Sequence, residues 1–264
     1  MCTDCLHSLH PLTASLCALC GEALPYSISN EADLRVDNRC RLCQLAQPPF
    51  ERAVAYGSYD GPLRDLVHLL KFDQVRPAAK VLGRLLAASI ANLASSLPTE
   101  SIAVVPVPLY ARKQAQRGFN QAELIARSAL KHLSGSTLGA QFELVPLALM
   151  RTRETGSQIG LTRHQRRENL RGAFKVAKPT QIRDRNILLV DDVYTTGATA
   201  SDCARVLLRG GAARVWVVTV GRTIKLYNWT GMQPDMSEMQ SEEVLSRSEN
   251  EEADNGHLNI VMQA

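Results

Sequence analysis

The chain has 264 residues, of which 45% are apolar, enough for one substantial α/β domain with a real core plus a small module. No stretch approaches the length of apolar sequence that a bilayer span needs, and no basic segment followed by an apolar one opens the chain, which points to a soluble, cytoplasmic protein with no membrane insertion. The net charge of +4 is unevenly spread: from Ile224 on there are two basic and eight acidic residues, net −6, which leaves +10 on the body and suggests an anionic partner, either phosphate esters, nucleic acid or both.

Six of the seven cysteines fall in three CxxC pairs, Cys2/Cys5, Cys17/Cys20 and Cys40/Cys43. Without a secretion signal, such pairs are read as metal ligands before disulfides. Two residues between thiols let one tight knuckle present both to the same ion, and a tetrahedral zinc needs two knuckles. Cys17, Cys20, Cys40 and Cys43 have zinc-ribbon spacing, and Gly21 follows its knuckle where an unhindered backbone is useful. Cys2 and Cys5 are left to complete a second zinc site with ligands the chain lacks, or to replace one of the other pairs. His7 and His10 lie near them, as further ligands or as exposed linker residues. Residues 1–50 thus read as a cysteine-rich, zinc-ribbon-like module.

"RAVAYGSYDGPLRDLVHLLKF" then gives a strand, a turn and a helix that has Pro62 near its first position and Leu63, Leu66, Val67 and Leu70 on one face. A second helix is expected over 78–93. "SIAVVPVPL" is short, apolar and β-branched, as a buried parallel strand is, and "YARKQAQRGFNQAELIARSALKHL" reads as a basic loop and then a helix. Asn120 is placed to cap that helix, with Glu123 in a near capping-box position and a stripe of Ala122, Ile125, Ala126, Ala129, Leu130 and Leu133. "FELVPLAL" is a further strand candidate. After it come a basic, weakly periodic segment read as a mobile loop, the strand "NILLVDDV", a helix over 198–208 stopped by Gly210 and Gly211, and a last strand, "ARVWVVTVG". Cys203 shares a helical face with Ala200, Ala204 and Leu207 and is expected to be a core residue without chemistry. Alternating strands and helices imply a mostly parallel sheet covered on both faces, with its ligand beyond the carboxyl ends of the strands. Residues 51–223 form this domain, and 224–264 read as an acidic, disordered tail.

"ILLVDDVYTTGATA" concentrates the chemistry. An apolar strand ends in two adjacent carboxylates, Asp191 and Asp192, and Thr195, Thr196, Gly197, Ala198 and Thr199 follow just before a helix. Small residues at a helix N-terminus make a phosphate site. The two groups are about one sugar apart, so that ribose hydroxyls can donate to the acids while a 5-phosphate sits in the loop and Mg²⁺ relieves the repulsion between the anions.

This stretch closely resembles the phosphoribosyl pyrophosphate signature of type I phosphoribosyltransferases. With the cysteine module, "AYGSYDGPLRDLVHLLKF", "VPVPLYARKQAQRGFNQAELIA" and the segment from Gln158 to Phe174, the chain over roughly residues 1–223 looks like the ComF family, whose Gram-negative members include the GntX type. That family often has one more CxxC pair upstream. Since Cys2 directly follows Met1, the second metal site and the true start of the chain are in question.

The resemblance implies a type I phosphoribosyltransferase fold, phosphoribosyl pyrophosphate and Mg²⁺ as ligands, structural zinc, and a role in DNA uptake with single-stranded DNA and uptake proteins as partners, although it marks no DNA-binding residue. It places Asp191 and Asp192 on the ribose, Thr195 to Thr199 on the 5-phosphate, and Leu109, Tyr110, Ala111 and Arg112 near the pyrophosphate. Arg117, Gly118, Phe119 and Asn120 form the adjacent turn. Arg163 and Arg167, with Arg153, Gln158 and Arg166, fall where such enzymes carry a closing loop. No residue is an evident base for an acceptor. A salvage phosphoribosyltransferase that does not use DNA, and a sensor that binds the ligand without turnover, are the competing functions.

Overall fold

The computed structural model describes residues 3–13, 15–24, 38–154 and 172–224. Five strands, β1 (Ala53–Ser58), β2 (Ile102–Pro106), β3 (Phe142–Leu144), β6 (Asn186–Tyr194) and β7 (Arg214–Arg222), form one sheet in the order β1-β7-β6-β2-β3, and every pairing is parallel. Two short strands, β4 (Leu149–Arg151) and β5 (Phe174–Val176), make a separate antiparallel pair. This is the α/β class expected from the sequence, and the strand that carries the two acids is the middle one.

The apolar runs are explained by burial on both faces. Val104, Leu188, Val190, Trp216 and Val218 face α3 (Gly61–Lys71), α4 (Ala78–Leu93) and α6 (Gln121–Leu133). Ala103, Val105, Ile187, Leu189, Val215 and Val217 face the other way, in one cluster with Cys203, Ala204 and Leu207 of α7 (Ala198–Arg209) and with Cys17, Cys20, Cys43 and Phe50. The cysteine module therefore lies on the sheet beside α7, where a doubly wound fold would put another helix. Short helices α1 (Thr3–His7) and α2 (Arg41–Leu45) belong to this N-terminal part.

Several local expectations hold. Leu63, Leu66, Val67 and Leu70 are all buried, and α4 spans the anticipated residues. Asn120 Oδ1 accepts from the Ala122 amide at 3.0 Å, a cap that contributes about 1 kcal/mol. Cys203 is fully buried.

Others need correction. The expected basic loop contains a helix, α5 (Ala111–Arg117), which has no apolar stripe because residues 111–116 are exposed and only Arg117 is buried. "FELVPLAL" is two strands: β3 joins the main sheet, β4 leaves it, and Pro146, which has no N–H to donate, lies between them. Glu123 takes two hydrogen bonds from Arg127 instead of closing a capping box. Leu130 is only half-buried.

Candidate functional site at the carboxyl edge of the sheet

The helix that follows β2 lies on one face and the helix that follows β6 on the other. The chain thus parts to opposite sides between two adjacent strands, which opens a crevice at their carboxyl ends, the place where open α/β sheets bind ligands. The Val107 amide donates to the Val190 carbonyl at 2.8 Å, and Asn120 Nδ2 donates to the Val107 carbonyl at 2.9 Å. These bonds hold the segment that leads to Leu109, Tyr110, Ala111 and Arg112 against the strand of the acids. Arg112 itself is exposed and reaches Glu154 only at 3.9 Å, a contact of little energetic weight.

Successive residues of a strand point to opposite faces, so the two carboxylates have different surroundings. Asp192 is buried on the α3 side, and its Oδ1 lies 3.1 Å from Lys71 Nζ. Its Oδ2 has no hydrogen-bond partner among the described residues. Burial alone would lower the Lys71 pKa, but Asp192, Tyr59 and Asp191 overcome this and raise it. Asp191 is half-buried on the α7 side and accepts from the Asp192 amide at 2.9 Å. Burial, and then the charge of Asp192, push its carboxyl up to about 7 against the pull of Lys71. The two adjacent carboxylates thus differ: Asp192 is ion-paired to an ammonium, and Asp191 takes up a proton near neutrality.

After β6 the chain turns through Thr195 and Thr196 to Gly197, which caps α7 at φ +73°. A side chain at Gly197 is excluded twice, by that φ and because a Cβ would come within 2.1 Å of the Tyr194 hydroxyl. Thr195, Thr196 and Thr199 are partly exposed, and Ala198 is buried. The five residues therefore bring backbone and hydroxyl donors to a helix N-terminus close to the acids, an arrangement chemically suited to an anion joined to a polyol.

Among the described residues three further cations lie near the acids; Arg117 belongs to the turn singled out in the sequence, whereas Lys71 and Arg151 have no mark there. Lys71 lies at the end of α3, 120 positions before Asp191. Arg117 is buried, donates to Gln121 at 2.6 Å and feels the charge of Asp192. Arg151, at the end of β4, feels that of Asp191. For Lys71 the only available signal was its place at the polar end of an apolar helix. Arg163, Arg166, Arg167 and Gln158 lie outside the described residues, as does the chain from 225 on. Arg153 is exposed.

The thiols of Cys17, Cys20, Cys40 and Cys43 lie within 4.8 Å of one another, close enough to share one ion. Three are buried, and Cys40 is partly so. Gly21, at φ +72°, lets the first knuckle close, with its amide on the Cys17 carbonyl at 2.9 Å. Burial acts to raise the Cys17 thiol, but the amides of Cys20, Cys40 and Leu19 outweigh it and lower the pKa to about 7. Burial raises Cys20 to about 11 and Cys43 further still. Burial favours the protonated form of the Cys20 and Cys43 thiols, and a divalent, sulfur-seeking ion such as structural zinc fits the set of four. Cys5 lies outside the cluster, in α1, and Cys2 lies outside the described residues. A cleft of about 220 Å³ separates this module from α7; it touches Thr196, Gly197 and Ala198 but neither acid.

Among the described residues no helix is long and apolar enough to cross a membrane. No protein-family model matches the chain. It is 35% identical over 214 residues to the DNA utilization protein YhgH of Escherichia coli K12, covering 80% of this chain and 85% of that one. It is 30% identical over 230 residues to competence protein F of Haemophilus influenzae, covering 84% and 96%. Among solved structures, an allosteric regulatory enzyme of purine biosynthesis aligns over 64% of this chain and 33% of its own at 19% identity, with a TM-score of 0.30, too low to carry an argument. At this identity and coverage, with the four-cysteine cluster in place, the chain belongs to the ComF family of competence and DNA-utilization proteins.

Proposed function

We propose that the crevice between β2 and β6 binds phosphoribosyl pyrophosphate, with Asp191 and Asp192 accepting from the ribose hydroxyls and Thr195 to Thr199 holding the 5-phosphate. The observation that carries this reading is the continuity of the two parts: a pair of carboxylates at the end of the central strand and, three residues on, a small-residue loop at a helix N-terminus. The buried, unpartnered Asp192 Oδ2 is an acceptor that a ribose hydroxyl or a cation can satisfy. Lys71 is ion-paired to Asp192, and Arg112 is assigned to the pyrophosphate. Mg²⁺, arriving with the diphosphate, would lie near Asp191 and Asp192 and supply charge neutralisation there.

Transfer from such a donor breaks the bond between the anomeric carbon and the pyrophosphate oxygen. That bond's electron pair leaves with pyrophosphate, and the acceptor's lone pair forms the new bond. The protein's part is to hold the leaving group and the ribose and to exclude water. Arg163 and Arg167 are assigned to that closure.

The test is a thermal shift titration with phosphoribosyl pyrophosphate and Mg²⁺. Wild type should be stabilised and the Asp191→Asn/Asp192→Asn variant should not; equal shifts, or none in wild type, reject the reading. The names of the relatives and the +10 body support single-stranded DNA as a partner. Its affinity should then fall steeply, by a power of the salt concentration, between 50 and 200 mM. Binding that ignores salt counts against that role.

A further inference from the structure

We propose that Arg222 and Tyr194 couple the four-cysteine centre to the phosphate loop, so that the state of the metal site sets the rigidity of residues 195–199. The reading of that loop as a phosphate site rests on the function proposed above; the coupling itself rests on contacts within the chain.

Arg222 ends β7 and is only 3% exposed. Its Nη1 donates to the Cys20 carbonyl and its Nη2 to Glu22 Oε2, with Cys20 Sγ at 4.0 Å. Both contacted residues belong to the first knuckle, 200 positions and more away in sequence. The same guanidinium lies 4.5 Å from the centre of the Tyr194 ring. Phe50, at the end of the cysteine module, meets that ring edge-on at 6.4 Å. The Tyr194 hydroxyl lies directly under Gly197 and also meets the Arg222 side chain, and the Tyr194 carbonyl accepts from the Thr223 amide at 3.1 Å.

The ring is therefore a bridge. Arg222 and Phe50, whose positions depend on the knuckle, hold it, and its hydroxyl supports the glycine that turns the chain into the loop of residues 195–199. Close-packed groups transmit displacement instead of absorbing it. If the thiolates lose their ion, the Cys20 carbonyl is freed and Arg222 loses a fixed acceptor. The ring then loses one wall, and Gly197 loses its floor. Linkage makes the effect reciprocal: an anion that orders the loop must also retain the metal better.

The experiment follows amide hydrogen exchange in the peptide spanning 195–201, with β2 as reference, in zinc-loaded and zinc-stripped full-length protein. Stripping zinc from wild type should speed loop exchange about tenfold while β2 stays protected. Zinc-loaded Arg222→Met should already exchange at the fast rate, with one zinc still bound, and stripping should change it no further. Tyr194→Leu leaves every knuckle contact of Arg222 intact, and it should reproduce the uncoupling even if Arg222→Met does not fold. Unchanged loop exchange on stripping wild type, or a zinc-loaded Tyr194→Leu loop as protected as wild type, overturns the proposal. In a second arm, ribose 5-phosphate should slow zinc loss to a chelator about fivefold in wild type and not in Tyr194→Leu. If wild type does not bind ribose 5-phosphate at all, the phosphate reading fails, and the exchange data still decide the coupling.

Discussion

The four-cysteine cluster and the acid pair pose the same electrostatic problem at two places in one molecule and solve it differently. Each gathers groups that repel when deprotonated. In the knuckles, four like groups meet, burial raises Cys20 to about 11 and Cys43 further still, and the neighbouring amides lower Cys17 to about 7; a divalent metal ion would supply the counter-charge. At the carboxyl edge the protein supplies its own cation, Lys71, to Asp192, and leaves Asp191 to titrate. The first set is suited to sharing one cation, whereas the second is balanced at Asp192 by the protein's own lysine and leaves Asp191 half-exposed.

The sharpest way to break the comparison is to remove the knuckle. Cys20→Ser with Cys40→Ser should take the metal content from one zinc per chain to none, and with it metal-binding free energy on the order of 10 kcal/mol. Metal analysis and thermal melting read this directly, and a folded double variant with an unchanged midpoint would show the thiols to be unligated.

Next is the cation of the acid pair. Lys71→Met strands a buried carboxylate, which costs up to about 3–5 kcal/mol where burial is complete. With Lys71 still 21% exposed, about 2 kcal/mol is expected. Adding Asp192→Asn should restore most of the loss in urea denaturation, and no recovery would mean that the lysine acts through packing of its stem.

The smallest effect is on Asp191 and depends on pH. Its folded-state pKa, about 7, lies above the ordinary aspartate value of 3.8, so the native chain holds this proton more tightly than the unfolded one. Stability then falls as pH rises between the two values, and the penalty is complete above the folded one. Asp191→Asn removes it: at pH 8 the variant should melt about 2–4 °C above wild type, equivalent to about 1 kcal/mol, and the gap should narrow by pH 5. A variant that melts below wild type at pH 8 would show that Asp191 is stabilised as an anion.

What could be read in advance differed between the two sites for a physical reason. A CxxC knuckle is local, since its spacing, Gly21 and the pairing of thiols all act within a few residues. The strand, acids and loop from Ile187 to Thr199 were legible for the same reason, because an apolar run, charge and a helix start are short-range signals, but Lys71 and Arg151 reach the acids from distant elements and were not. The helix over 111–117 was hidden because its faces carry no apolar stripe to read.

By itself, the sequence determined the α/β class, the four metal-suited thiols, the acid pair with the small-residue loop after it, and most of the core faces of α3, α6 and α7. Only the tertiary structure decided that Asp191 and Asp192 face opposite ways, that Lys71, Arg117 and Arg151 surround them, and that Arg222 joins the knuckle to Tyr194. The division follows range: hydrogen-bonded turns and side-chain periodicity are set by neighbours in sequence, whereas charges buried in one crevice come from elements that meet only after the sheet has closed.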